Sequence, residues 1–425
     1  MVNSKNKVSF ITLGCKVNQY ETNAMMQRFV ESGYEINDEN ADIYIINTCT
    51  VTNMSDRKSR QMLRRMKQKN PNSIVVAVGC YVQVAKEELE KQEYIDLVFG
   101  NVEKKDIVAL VEKYQKSAIT QDLMKKKEYD DFGTITYTEK VRAAVKIQDG
   151  CDRFCSYCII PYARGRVRSR KSESVINEIK AIVGKGIKEV VLTGIHIASY
   201  GKDFKNEYKL IDLIEDIDKI EGLERIRLGS IEPLIITDEF IQRMHKLNKV
   251  CDHFHLSLQS GCDDTLKRMN RRYTTVQFEI IVNRIRNIFE NALITTDIIV
   301  GFPGETDEEF NKTFEYLSTI KLYKMHIFKY STRKGTVASI MKKQVDGNIK
   351  EERSKKLLEL SDSIQNEYNK KIKKGIVDVL FEEKKENVWI GHTTNFVKVG
   401  IVTQDNLENK IVEIKNWDNV KIINS

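Results

Sequence analysis

No long apolar run occurs anywhere in this chain of 425 residues. Met1-Val2-Asn3-Ser4-Lys5-Asn6-Lys7 leads straight into a strand-like stretch, so neither an export signal nor a membrane span is expected, and the expected location is cytoplasmic. No Gly-x-x-x-x-Gly-Lys-Ser/Thr loop is present, so nothing calls for a nucleoside triphosphate. Neither sign of charge dominates. With 69 basic and 61 acidic side chains the net charge is +8, which is compatible with an RNA partner without requiring one. Cysteines are few, eight in all, and without an export signal they point to reduced thiols and metal ligands rather than disulfides. The length exceeds one ordinary core, and two or three domains are expected.

Against that background, Cys151, Cys155 and Cys158 stand out in the stretch Asp149-Gly150-Cys151-Asp152-Arg153-Phe154-Cys155-Ser156-Tyr157-Cys158. A 4Fe–4S cluster normally takes four cysteines. Three thiolates leave one iron open for a small molecule to chelate. A structural zinc would need a fourth ligand from elsewhere. A ferredoxin-type carrier has the spacing Cys-x-x-Cys-x-x-Cys, completed by a fourth cysteine. The arrangement resembles the signature of the radical S-adenosylmethionine (SAM) enzymes. That resemblance implies SAM on the open iron, cleaved by one electron to a 5′-deoxyadenosyl radical. It also implies that Tyr157 lies near the adenine.

Upstream, short apolar runs alternate with helical patterns. Strands are expected at 8–13, 42–47 and 73–78 and helices at about 21–32 and 56–69, which implies an open parallel sheet. A cysteine follows each strand, as Gly14-Cys15, Thr48-Cys49 and Gly79-Cys80. Ligands of parallel α/β sheets gather outside the carboxyl ends of the strands, so these thiols are expected to form a second cluster site. The plainer alternative is three buried core cysteines. Gly14 and Gly79 suit a close approach of backbone to a bulky inorganic group.

From about residue 141 to 331 six strands are expected, at 143–148, 189–194, 225–230, 253–259, 294–301 and 325–331, with helices between them. Six βα units suggest a partial, open version of the eight-unit barrel with its active residues on the loops after the strands. The lateral opening suits a large substrate. After Lys370-Lys371-Ile372-Lys373-Lys374, expected as a hinge, short β runs at 375–382, 387–390, 396–402, 410–415 and 420–423 suggest a five-stranded, nucleic-acid-binding barrel.

Together these features resemble the radical-SAM methylthiotransferases along nearly the whole chain. Gly14-Cys15-Lys16-Val17-Asn18-Gln19-Tyr20-Glu21-Thr22, Asn47-Thr48-Cys49-Thr50-Val51-Thr52 and Val78-Gly79-Cys80 are similar to that family's three auxiliary-cluster motifs. Ile159-Ile160-Pro161-Tyr162-Ala163-Arg164-Gly165 is similar to the continuation of its SAM-cluster motif. Gly391-His392-Thr393-Thr394-Asn395-Phe396-Val397-Lys398-Val399 resembles the core of a TRAM RNA-binding barrel. The resemblance implies an N-terminal methylthiotransferase domain at 1–118, a linker at 119–136, a radical-SAM (βα)6 core at 137–367 and a TRAM domain at 368–425. It further implies two 4Fe–4S clusters, held by Cys15, Cys49 and Cys80 and by Cys151, Cys155 and Cys158.

The wording around Cys15 and Cys151 most resembles the branch acting on N6-threonylcarbamoyladenosine beside the tRNA anticodon. Lys16-Val17-Asn18 stands where the isopentenyladenosine branch has Gln-Met-Asn and the ribosomal-protein branch has Pro-Lys-Asn. The implied reaction places a methylthio group on adenine C2, and the implied partners are the modified anticodon stem-loop and a reducing electron donor. Those two other branches remain as alternatives, as does a non-catalytic RNA-binding protein with structural metal sites.

For SAM, Thr193-Gly194 resembles the loop receiving its amino group, and Gly301-Phe302-Pro303-Gly304-Glu305 the adenosyl-side loop. Ser230, Glu232 and Gln259 follow the third and fourth strands as candidate contacts for ribose or carboxylate. Packing or hydrogen bonding is the default for His196, His253, His255 and His326, and no ligand role is expected of Cys251 and Cys262. For RNA, Arg164, Arg166, Arg168 and Arg170 alternate, so an extended chain would present all four on one side. Arg57, Arg60 and Arg64 share a helix face. Asn395, Phe396 and Lys398 combine hydrogen bonding, a stacking surface and charge, as single-stranded RNA requires.

Overall fold

The computed structural model describes residues 7–113, 118–119, 121–138 and 141–423; the leading residues 1–6 lie outside them. The first sheet contains β1 (Lys7–Thr12), β2 (Glu35–Ile36), β3 (Ile43–Thr48), β4 (Ile74–Gly79), β5 (Leu97–Phe99) and β6 (Ala118–Ile119), all parallel, in the order β2-β1-β3-β4-β5-β6. Helices cover both faces. Every residue of central β3 is therefore buried, with Tyr44 and Ile46 packed in one layer and Ile43 and Ile45 in the other.

The second unit contains β7 (Arg142–Asp149), β8 (Arg168–Ser169), β9 (Glu189–Gly194), β10 (Arg225–Leu228), β11 (His253–Gln259), β12 (Leu293–Val300) and β13 (Lys324–Lys329). Its sheets β10-β9-β7-β8 and β11-β12-β13 are joined by parallel bridges between Ile226 and Val250 and between Ile231 and Leu256. The six long strands thus form the expected parallel half-barrel, and two-residue β8 lies antiparallel on the edge of β7. The segment expected as a linker is packed: Phe132 and Ile135 join Tyr20 and Ala24 in one apolar cluster.

The last module contains β14 (Val377–Lys385), β15 (Val388–Thr393), β16 (Lys398–Val402), β17 (Ile411–Ile414) and β18 (Val420–Ile422), antiparallel in the order β17-β14-β15-β16-β18. Its core of Val379, Phe381, Trp389 and Val399 is continuous with Leu293 and Tyr323 at the amino ends of the barrel strands. Arg225 donates to the His392 and Asp378 carbonyls at 3.1 and 2.9 Å, and Arg227 to Thr394 O at 2.7 Å. The lysine run is not a hinge. Lys370 and Lys371 form the last turn of helix Gly347–Ile372, which packs along β13 and carries its axis past residue 367.

Candidate active site

Cys15, Cys49 and Cys80 leave the carboxyl ends of β1, β3 and β4, which are neighbours in the sheet. Cys49 and Cys80 are buried and Cys15 is exposed. Burial pushes the Cys49 thiol up, and the sulfurs of Cys80 and Cys15 lie close enough to add to the effect. The two glycines lie where the strand ends crowd together. At Gly14 (φ +102°) a Cβ would fall 2.7 Å from Cys49 Cβ, and at Gly79 (φ +105°) 2.7 Å from Asn47 Oδ1. Both let neighbouring strand ends close upon each other.

Cys151, Cys155 and Cys158 occupy the loop after β7 and are all half-buried. Burial and the nearby Cys155 sulfur push Cys151 up to about 11 and Cys158 up to about 12. The Arg153 amide donates to Cys151 Sγ at 3.4 Å, and Arg271 Nη1 donates to Cys155 Sγ at 3.3 Å. Metal-free, the Cys151 and Cys158 thiols are protonated at neutral pH. A highly charged iron centre is the kind of group that converts thiols to thiolates, and each trio supplies three soft sulfur donors with a fourth position open, the donor set such a cluster takes. Donors to sulfur also tune a cluster's potential.

The two trios are linked by side chains for which the sequence indicated no such bridging role. Arg164, six positions after Cys158, donates through Nε to Cys80 Sγ at 3.2 Å. Its Nη atoms reach Glu21 at 2.6 and 3.0 Å and Asn18 Oδ1 at 2.8 Å. Lys146 donates to Glu21 at 2.7 Å and to Asp149 at 2.6 Å, and Lys104 also pairs with Glu21. Burial raises the Glu21 pKa, but Arg164, Lys104 and Lys146 outweigh it and hold the carboxyl well below the usual carboxylate range. Asn101 donates to Ala163 O at 2.9 Å and contacts Cys80 Sγ at 3.7 Å. Across the interface, Arg333 after β13 binds Thr50, Asn53 and Asp56 at 2.6–2.7 Å. Asn18 and Glu21 fell within a quoted motif; Lys104, Lys146 and Arg333 carried no local signal.

Of the SAM candidates, Tyr157 meets Phe302 edge to face, with ring centroids 6.5 Å apart. Thr193 is buried, Gly194 half-buried and Ser230 exposed. Glu232 is buried and accepts from His196 Nε2 at 2.7 Å; Arg153 Nε lies 2.8 Å from it. With Arg271 they outweigh burial and hold its carboxyl down at about 2. Gln259 is buried with φ +73°, and the Gly301 amide donates to Glu305 at 2.6 Å.

The arginine run requires a correction. Arg164, Arg168 and Arg170 are each about 1% exposed, and only Arg166 faces solvent. Arg168 donates to the Arg164 and Arg166 carbonyls at 2.9 and 3.0 Å, while Arg170 pairs with Glu178 and Asp131 at 3.1 Å. Counter-charges from distant segments hold them inside, so no phosphate reaches them. Arg60 bonds the Tyr81 hydroxyl and Glu88, Arg64 lies over Tyr94, and Arg57 is exposed. Asn395 is also taken, donating to Asn291 O at 3.1 Å. Phe396 offers no free face, because it stacks between His253 and His392 with centroids 4.9 and 4.7 Å away. Lys398 is half-buried.

A parallel half-barrel with three thiols after its first strand, bolted to a sheet that carries three more, defines a radical-SAM-type enzyme with two cysteine trios. The profile of the Radical SAM superfamily matches residues 145–317, and that of Uncharacterized protein family UPF0004 matches residues 7–100. The chain is similar to the threonylcarbamoyladenosine tRNA methylthiotransferase MtaB of Bacillus subtilis (strain 168), at 40% identity over 96% of this chain and 93% of that protein. MtaB of Aquifex aeolicus (strain VF5) is 42% identical over 89% of this chain and 94% of its own length. The tRNA-2-methylthio-N(6)-dimethylallyladenosine synthase of Finegoldia magna is 35% identical over 96% and 92%. The chain belongs to the radical-SAM tRNA methylthiotransferase family. Its fold resembles the radical SAM methyltransferase TsrM of Kitasatospora setae, with TM-score 0.58 and 14% identity over 79% of this chain and 77% of that one.

Proposed function

We propose that this chain places a methylthio group on C2 of N6-threonylcarbamoyladenosine next to the tRNA anticodon. Among the branches of the family, that reading is supported by the likeness to the two MtaB proteins along nearly the whole chain. The observation that carries the chemistry is the Arg164 bond to Cys80, which ties the auxiliary trio to the short helix Ile160–Arg164 that begins two residues after Cys158.

The C2–H bond is too weakly acidic for any side-chain base at neutral pH, so the hard step belongs to cofactor chemistry. When bound, a 4Fe–4S cluster at each trio with SAM supplies the adenosyl radical at one site and the methylated sulfur at the other. The protein's part is holding and orientation. Cys151, Cys155 and Cys158 hold one cluster and Cys15, Cys49 and Cys80 the other. Tyr157, Thr193, Gly194, Ser230, Glu232, Gln259 and Gly301 surround the SAM position. A cellular one-electron reductant completes the cycle. Among the described residues no helix is long and apolar enough to cross a membrane.

Expression in a bacterium deleted for its own enzyme tests this. The tRNA nucleosides should regain 2-methylthio-N6-threonylcarbamoyladenosine, and a Cys80→Ala variant should not restore it. Restoration of only the isopentenyl product, or full activity of Cys80→Ala, would overturn the reading.

A further inference from the structure

The lumen of the half-barrel contains a cavity of about 320 Å³ that none of the six site cysteines lines, although Ser230 of the SAM candidates borders it, a size suited to a small-molecule group. Four of the chain's six histidines line it: His253, His255, His326 and His392. Lys16, beside Cys15, joins Lys324 from β13 and Lys398 from β16 on its wall. Among the described residues lining the cavity, none is acidic. Phe396 closes one end between its two imidazole neighbours, with Arg227 4.8 Å over its ring.

The imidazoles are held in place. His255 Nδ1 and His253 Nε2 lie 2.8 and 3.0 Å from Thr295 Oγ1, His255 Nε2 lies 3.2 Å from Asp297, whose carboxylate is also within 4.8 Å of His326, and His392 Nδ1 lies 2.5 Å from Glu382. His326 is 5.7 Å from His255, ring to ring, and is the exposed member of the pair. A dimethylallyl substituent offers no acceptor to the side-chain nitrogens of His326 and Lys398, and burying them against it is costly. A threonylcarbamoyl substituent brings a carboxylate, for which imidazole N–H and ammonium groups are strong donors.

Resting on the function proposed above, we propose that this lumen binds the carboxylate of the threonylcarbamoyl group, with His326 and Lys398 as specificity-determining residues. The half-barrel and the C-terminal module then read the N6 substituent jointly, below the two cysteine sites. The family's two tRNA branches differ in the chemistry of that substituent, and here that chemistry meets a wall whose lining side chains are basic or neutral.

The test uses the reconstituted enzyme and three anticodon stem-loops, carrying the threonyl acid, its carboxamide or isopentenyladenosine. The wild type should favour acid over carboxamide in kcat/KM by roughly 10- to 100-fold, the worth of a charged hydrogen bond. His326→Phe and Lys398→Met should each collapse that ratio towards one. Placing them in different modules keeps the test decisive if one fails to load iron. An unchanged ratio in both variants, or a wild type indifferent to the carboxamide, would overturn the assignment. Equal losses on both RNAs with a flatter salt dependence would reassign the lysine to a backbone phosphate. Stoichiometric zinc lost on His326→Phe would reassign His255, Asp297 and His326 to a metal. Turnover of only the isopentenyl stem-loop would sink the function reading itself.

Discussion

Replacing Glu21 by Gln probes the joint between the two thiol trios. Its carboxylate is buried and accepts from Arg164, Lys104 and Lys146. Asp149 is the other anion of the cluster and faces Lys146, Arg164 and Arg168. Removing one of two anions leaves four buried cations around a single carboxylate. Breaking one buried pair costs about 3–5 kcal/mol, because the stranded charge stays desolvated. A glutamine oxygen still accepts one bond, so Glu21→Gln should fall near 3 kcal/mol and Glu21→Ala nearer 5. Anaerobic denaturant titrations followed by circular dichroism measure this. Glu367→Gln is the control, because its 3.2 Å pair with Lys321 is more than half exposed and is expected to be worth under about 1 kcal/mol. Arg164 should also slacken against Cys80, lowering the iron retained. A Glu21→Gln loss no larger than the control's would refute the view that this network braces the site.

Three further outcomes follow from the same geometry. Arg333→Ala removes the clamp on Thr50, Asn53 and Asp56, so RNA methylthiolation should fall at least about tenfold while 5′-deoxyadenosine release persists, a split read by chromatography of both products. Gly14→Ala drives a Cβ into Cys49 and strains the backbone by about 1–3 kcal/mol, so iron analysis should show about half the metal, with the Cys151 site still loaded. Burial raises the pKa of Glu189, but Arg227, Arg142 and Arg225 overcome it and hold the carboxyl below its usual range. Its contribution to stability is therefore fully present above about pH 4.3 and is lost as pH falls through the lower folded value. Both tryptophans, Trp389 and Trp417, lie in the C-terminal module that Arg225 and Arg227 anchor, so their fluorescence should report loosening in that acid window and no change between pH 6 and 8, within the roughly neutral range of greatest stability.

The six long barrel strands were legible because each is a short apolar run bounded by helical patterns. The cysteine positions were legible because parallel sheets gather ligands at one strand end. The two-residue strands β2, β6 and β8 carry no such signal. The arginine run misled for a physical reason. Alternation predicts a shared face only in an extended chain, whereas Arg164 ends a helix and only Arg168 of the four lies in a strand. Charge usually means solvent, and nothing nearby in sequence announces that Glu21, Asp149 and Glu178 arrive to neutralise it. The sequence offers Phe396 as a stacking platform in a strand. It is neither a free platform nor a strand residue, because at φ +70° it turns into the lumen before β16 begins.

That division between legible and illegible follows from the chemistry. Holding a cluster needs thiols at fixed spacing or at equivalent strand ends, so the reaction class is written in short motifs. Choosing the N6 substituent needs a pocket, and its wall is drawn from Lys16, β10 to β13 and the turn before β16. Each such residue looks like an ordinary strand or loop position in its own stretch. The three residues after Cys15, Lys16-Val17-Asn18, therefore separate the branches weakly. A lumen with His326 and Lys398 on its wall separates the tRNA branches by the cost of burying those donors against an apolar group. Substitutions that convert one branch's specificity into another's should accordingly cluster on the lumen wall, at positions such as His326 and Lys398, and leave every cysteine motif untouched.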